Sequence, residues 1–178
     1  MLRTQQARWA RRMSKVMLGG TLAVVGAGAC GGPSTQQVSD ARIPFMFAAP
    51  ASFEVAHVTY TVTQPAILVQ ADATPGDDFD HLDIRRTAAP AVPMARMLLD
   101  LKGRPGPPPR TEMHSGLATA TAAFDFVDGK QPVHDSVYLF AAADSTWELE
   151  CEATTSHRSA IEKACNEAMN SIQLGRHG

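Results

Sequence analysis

The densest group of metal-capable side chains in the sequence is Asp77-Asp78-Phe79-Asp80-His81-Leu82-Asp83. Its carboxylates are hard oxygen donors of the kind calcium takes, and its imidazole is a general ligand. The spacing is not that of a calcium loop, and no glycine stands where the sharp turn of such a loop needs one. The expected reading is therefore an acidic surface turn, with Asp77, Asp78, Asp80 and Asp83 kept as secondary metal candidates and no cofactor expected. A strand starting at His81 would turn Leu82 and Ile84 inward and leave His81 and Asp83 on a solvated edge.

The histidines, His57, His81, His114, His134, His157 and His177, are scattered and form no i, i+4 pair on a helix. No H-E-x-x-H, G-x-S-x-G, phosphate-binding loop or dinucleotide fingerprint occurs. A hydrolase could still assemble Ser, His and Asp from separate positions, because such triads are recognised by geometry. Without a motif, an enzyme is not the expectation.

Cysteine usage is more informative. The chain holds Cys30, Cys151 and Cys165. Cys30 follows Ala27-Gly28-Ala29, whose small residues at the third and first positions before it suit a signal peptidase. Upstream lie Arg3, Arg8, Arg11, Arg12 and Lys15 with no acid, then an apolar run from Val16 to Ala29 of about 14 residues. That run is shorter than the roughly 20 residues a membrane-spanning helix needs. Residues 1–29 thus read as a cleaved signal peptide, with Met1 and Met13 both open as starts and the export route open. Cys151 and Cys165 remain as an even pair, which in an exported protein suggests a disulfide. Two cysteines without matching histidine spacing make a poor zinc site.

Removal of residues 1–29 takes away five basic side chains and no acidic one. The precursor's 16 basic and 18 acidic residues become 11 and 18, a net charge of −7. An acidic domain argues against nucleic acid and against electrostatic binding to anionic headgroups, so membrane attachment would have to come from acyl chains.

The elements that must position these groups follow from periodicity. Residues 30–41 are small, polar and aperiodic and read as a flexible tether. One domain is expected over 42–174, followed by a disordered tail at 175–178. Ile43–Phe47, Val55–Val62, Ile67–Asp72 and His81–Arg85 read as strands. Met94, Met97, Leu98 and Leu101 have helical spacing over Pro93–Leu101. Those methionines with Phe45, Met46 and Phe47 could line an apolar cleft, although core packing predicts the same spacing. The proline-rich stretch Arg104–Arg110 reads as a stiff loop. Leu117–Val127 and Val133–Ala142 flank Asp128-Gly129, which reads as a type I′ hairpin turn, and Asp144-Ser145 leads into the next strand.

In that strand Trp147, Leu149 and Cys151 alternate with Glu148, Glu150 and Glu152, so one face is apolar and the other reads as solvated, or as a ridge for a basic partner. A helix follows, opened by Ser159–Glu162 as a capping box and striped with Ile161, Cys165, Ala168 and Ile172. Both cysteines would point into one buried layer. A bridge between them would close a loop of about 15 residues and contribute about 3 kcal/mol in the chain-entropy model. The order of elements predicts an α+β fold with a mostly antiparallel sheet flanked by helices.

The Pro50–Phe53 opening, a mid-chain helix, a glycine-turned meander, and a strand-Cys, helix-Cys finish ending Asn170-Ser171-Ile172 are similar to the PsbP/Mog1-type fold. More narrowly they resemble actinobacterial exported lipoproteins of the LpqN/LpqT kind, and Ala27–Cys30 resembles the bacterial lipobox. The resemblance implies an antiparallel sheet with helices against it. It also implies a lipid on Cys30 and a place on the extracytoplasmic face of the cell membrane. The function implied is a binding or accessory module for an envelope protein or an apolar envelope component. A structural or assembly subunit of a membrane complex is the alternative, and a hydrolase the third reading.

Overall fold

The computed structural model describes residues 34–61, 64–71, 79–87 and 108–175. The expected signal peptide over 1–29, Cys30, Asp77, Asp78, the helix expected over Pro93–Leu101 and most of the proline-rich stretch lie outside these residues. In chain order the elements are β1 (Thr35–Ser39), β2 (Phe45–Pro50), β3 (Glu54–Thr61), β4 (Gln64–Gln70) and β5 (His81–Arg86). They continue with β6 (Arg110–His114), β7 (Leu117–Asp128), β8 (Gln131–Ala142), β9 (Ser145–Thr154), α1 (Arg158–Asn170) and β10 (Gln173–Leu174).

Seven strands form one antiparallel sheet in the order β3-β4-β5-β9-β8-β7-β6. A second sheet, β1-β2-β10, lies with α1 over one face of the first. This is the α+β, antiparallel architecture that the periodicity predicts. The face under α1 is apolar because strand alternation delivers Ile67, Val69, Leu82, Ile84, Trp147, Leu149 and Cys151 to it, all essentially buried. Phe45 of β2 packs edge-on against Phe140 and Trp147, with ring centroids 5.3 and 5.2 Å away. From α1, Ile161, Ala164, Cys165, Ala168 and Met169 enter the same core. Burying each large side chain of this set contributes about 1.5–3 kcal/mol. Cys151 and Cys165 are joined by a disulfide, Cα–Cα 6.5 Å, which fixes the middle of α1 to β9. At its C-terminal end, the Ala48 amide of β2 donates to Ser171 Oγ at 2.7 Å.

Several expectations need correction. The tether expected over 30–41 includes β1, whose Thr35–Ser39 pairs with β2 and buries Val38. The 175–178 tail is held at its first residue, where Gly175 N–H donates to the Pro44 carbonyl at 2.8 Å. The β7–β8 turn is centred on Gly129-Lys130, and only Gly129 has positive φ (65°). That sign pattern belongs to a type II′ turn, one residue later than the expected I′ turn. The I′ pattern occurs instead between β8 and β9, where Ala143 (φ 46°) and Asp144 (φ 59°) are both left-handed. The capping box does not form. Helix α1 starts at Arg158 with His157 as its N-cap, and Glu162 pairs with Arg158 along the helix. β6, an edge strand of mostly exposed residues, has no apolar alternation to announce it.

The largest correction concerns the acidic strand face. Glu148 and Glu152 are buried, as are His81 and Asp83 of β5, so neither strand has a solvated side. Both are interior strands of the sheet, and period-2 alternation alone cannot tell a solvated face from a second buried one.

Candidate functional site

Between the β6–β7–β8 end of the sheet and α1 lies a cleft of about 300 Å³. The meander sets its floor. Arg110 of β6 stands opposite Thr121 of β7, which stands opposite Tyr138 of β8, and the next rung places Ala123 opposite Ser136. Glu112 and His114 extend the wall along β6, and Asn166 of α1 closes the other side. Ser136 is also the cross-strand neighbour of Cys151. The disulfide therefore anchors α1 next to the serine, one residue before Asn166.

The His114 ring is buried at the mouth of the loop into β7. Its Nδ1 lies 3.0 Å from Asn170 Oδ1, an oxygen that only accepts, so Nδ1 donates. Its Nε2 is 3.5 Å from the Glu112 carboxylate, and the ring meets Tyr138 edge-on at 5.8 Å. Burial, and then the nearby Glu112 and Glu162 carboxylates, push the Tyr138 phenol above its ordinary pKa. Farther along β8, Ser136 Oγ is 3.2 Å from His134 Nε2, and His134 Nδ1 is 2.8 Å from Asp125 Oδ1. The first turn of α1 borders this group. Arg158 Nε donates to Glu162 at 2.8 Å, while Arg158 Nη2 and Glu162 Oε1 each lie 3.5 Å from His134 Nε2.

Of the sequence-predicted metal candidates, the two among the described residues, Asp80 and Asp83, are engaged with different partners. Asp80 (φ 61°) is buried and accepts from the Thr154 amide at 2.7 Å, from Thr154 Oγ1, and pairs with His157 Nδ1 at 2.8 Å. It latches the end of β9 to the start of α1. Asp83 points to the other face of the sheet and pairs with Arg85 at 2.7 Å. Arg85 also reaches Glu148 and Glu150, each at 2.7 Å. Burial alone would lower the guanidinium pKa, but Glu150, Glu148 and Asp83 together raise it. Burial raises the Glu148 carboxyl above its usual range, with Arg85 opposing. On this face Asp135, Glu150 and Glu152 bring their carboxylates within 4.8 Å of one another, a convergence visible only once β8 and β9 are in register.

No protein-family model matches the sequence, and no curated protein matches it. Among solved structures, the cyanobacterial PsbP (CyanoP) of Synechocystis sp. PCC 6803 superposes with TM-score 0.55 at 14% identity, over 83% of this chain and 98% of that one. The chain has a PsbP-type fold. At this identity the likeness is one of fold alone. A protein from Bacteroides thetaiotaomicron VPI-5482 gives TM-score 0.58 at 10% identity over 82% of this chain, which spans about half (50%) of that protein's length. LpqN, involved in cell envelope biogenesis of Mycobacterium tuberculosis, gives TM-score 0.47 at 11% identity over 79% of this chain and 91% of that one. No helix among the described residues is long and apolar enough to cross a membrane.

Proposed function

We propose that this protein is an exported accessory module of the bacterial cell envelope, lipid-anchored through Cys30, that binds a partner protein or an apolar envelope component. The observation that carries the reading is the Cys151–Cys165 link inside the core, since structural disulfides persist in oxidising compartments outside the cytosol. The acidic domain fits attachment by acyl chains, with the cleft beside α1 as the place for a bound segment or small molecule. Tyr138 and Ala123 give that cleft an apolar floor, and Arg110, Glu112 and His114 a polar rim. The alternative, an assembly subunit docking through its edge, is favoured by Met113, which is 66% exposed on edge strand β6.

The test has two parts. Cys30→Ser is expected to move the protein out of the membrane fraction while it is still exported; retention on the membrane would refute the anchor. Affinity capture from detergent extracts, with mass spectrometry of proteins and lipids, is expected to lose its cargo in Tyr138→Ala. Cargo unchanged by that variant would remove the cleft from the reading.

A further inference from the structure

The β7–β8 hairpin places Asp125 directly opposite His134, with Ser136 two residues farther along β8 on the same face. The three side chains connect in series, Asp125 to His134 at 2.8 Å and His134 to Ser136 at 3.2 Å. A carboxylate only accepts hydrogen bonds, so His134 Nδ1 carries the proton and donates it to Asp125 Oδ1. The Nε2 lone pair then faces the serine hydroxyl, which donates to it. This is the tautomer and orientation in which an imidazole can withdraw a serine proton.

Position supports the chemistry. Ser136 lines the cleft, so its Oγ has room for a substrate carbonyl beside it. Asp125 also lies 3.5 Å from Arg158 at the start of α1. Arg110 and Asn166 line the same cavity and carry side-chain N–H donors. A volume of about 300 Å³ is at the small end of ligand sites, which fits a short acyl group. The groups facing His134 are Asp125, Glu162, Arg158 and Ser136. The two carboxylates stabilise the imidazolium formed on proton transfer. Arg158 opposes it, but its charge is engaged by Glu162 at 2.8 Å.

We infer that Ser136 is an acyl-accepting nucleophile, with His134 its general base and Asp125 the residue that positions that base, acting on small carboxylic esters held in the cleft. In the first half-reaction Ser136 Oγ bonds to the ester carbonyl carbon and its proton passes to His134 Nε2. The carbon–alkoxy bond then breaks, and the proton on Nε2 leaves with the departing oxygen as an alcohol. In the second half-reaction water attacks the acyl-serine and gives a proton to Nε2. The Oγ–carbonyl bond breaks, a carboxylic acid departs, and the proton returns to Oγ. The sequence carries no nucleophile-elbow motif because this serine lies within a strand, two residues from its base.

The test uses the full-length, detergent-solubilised protein with a fluorophosphonate probe and p-nitrophenyl acetate. The expected result is one phosphonyl adduct, localised to Ser136 by tandem mass spectrometry and absent in Ser136→Ala. Ester hydrolysis is expected to fall to the buffer rate in Ser136→Ala and by on the order of 10²-fold in His134→Gln. Asp125→Asn is expected to lower kcat with KM unchanged, and Asp125→Glu to restore part of it. Thermal melting of each variant shows whether its fold is retained. Absence of an adduct on Ser136, or hydrolysis undiminished in a folded Ser136→Ala protein, overturns the inference. The readout does not involve the lipid anchor, so this failure and that of the envelope-module reading are separable.

Discussion

Arg85 offers a demanding test of how the acidic face is held. Its guanidinium lies 2.7 Å from each of Asp83, Glu148 and Glu150, and the side chains of Asp83 and Glu148 are only 1% and 7% exposed. Arg85→Met keeps much of the aliphatic volume while removing the cation shared by three carboxylates. Taking one partner from a buried ion pair typically costs 3–5 kcal/mol. Arg85 is itself partly exposed, so about 3 kcal/mol is the expected loss at pH 7.5. With a urea m-value of about 1.5–2 kcal/mol/M, that moves the unfolding midpoint down by about 1.5–2 M. The pH dependence has a defined sign. Burial already holds the Glu148 carboxyl above its usual range with Arg85 opposing, so losing the cation raises it further. Such a group favours the fold when protonated and loses that contribution as pH rises through the folded pKa. The gap between wild type and variant is therefore largest near pH 7.5 and narrower near pH 5. Urea titrations at both values measure it, and Arg85→Met combined with Asp83→Leu and Glu148→Leu is expected to regain most of the stability. A loss below about 1 kcal/mol, or one independent of pH, refutes the assignment of Arg85 as the shared counter-ion.

Two further outcomes follow from local geometry. Ala143 holds a left-handed backbone (φ 46°) that costs an alanine about 1–2 kcal/mol, whereas glycine adopts it freely at a smaller entropic penalty. Ala143→Gly is expected to stabilise the fold by about 0.5–1 kcal/mol, seen as a rise of a few degrees in Tm, and a fall would contradict the turn geometry. The Tyr138 phenol, raised chiefly by burial, is expected to ionise above pH 10 in a Tyr60→Phe background when followed by tyrosinate absorbance; a midpoint at or below 10 would place the ring in water.

The legible parts of this fold are those with a single apolar face. The stripe of α1, the apolar side of β9 and the presence of a β7–β8 hairpin all follow from period and the glycine between the strands. What escaped was set by pairing partners far away in sequence. Glu148 looks solvated along its own strand and becomes interior because Arg85, 63 residues away, arrives beside it on β5. Residues 35–39 look like a tether because their polar side chains suit an outer strand, and only β2 supplies their ladder. The Asp125–His134–Ser136 series was within reach. Counting outward from the turn at Gly129-Lys130 pairs Asp128 with Gln131 and therefore Asp125 with His134. Placing the turn one residue early breaks that register and hides the series.

The clamp between β9 and α1 gives the cleft its second wall, and the proposed envelope role rests on it. It is tested most directly on full-length protein from the membrane fraction, denatured without reductant, alkylated and digested. The expected product is a single species in which the peptides bearing Cys151 and Cys165 are covalently joined, with neither thiol alkylated. Recovery of both cysteines as separate alkylated peptides would contradict the clamp and, with it, the compartment on which the proposed role rests.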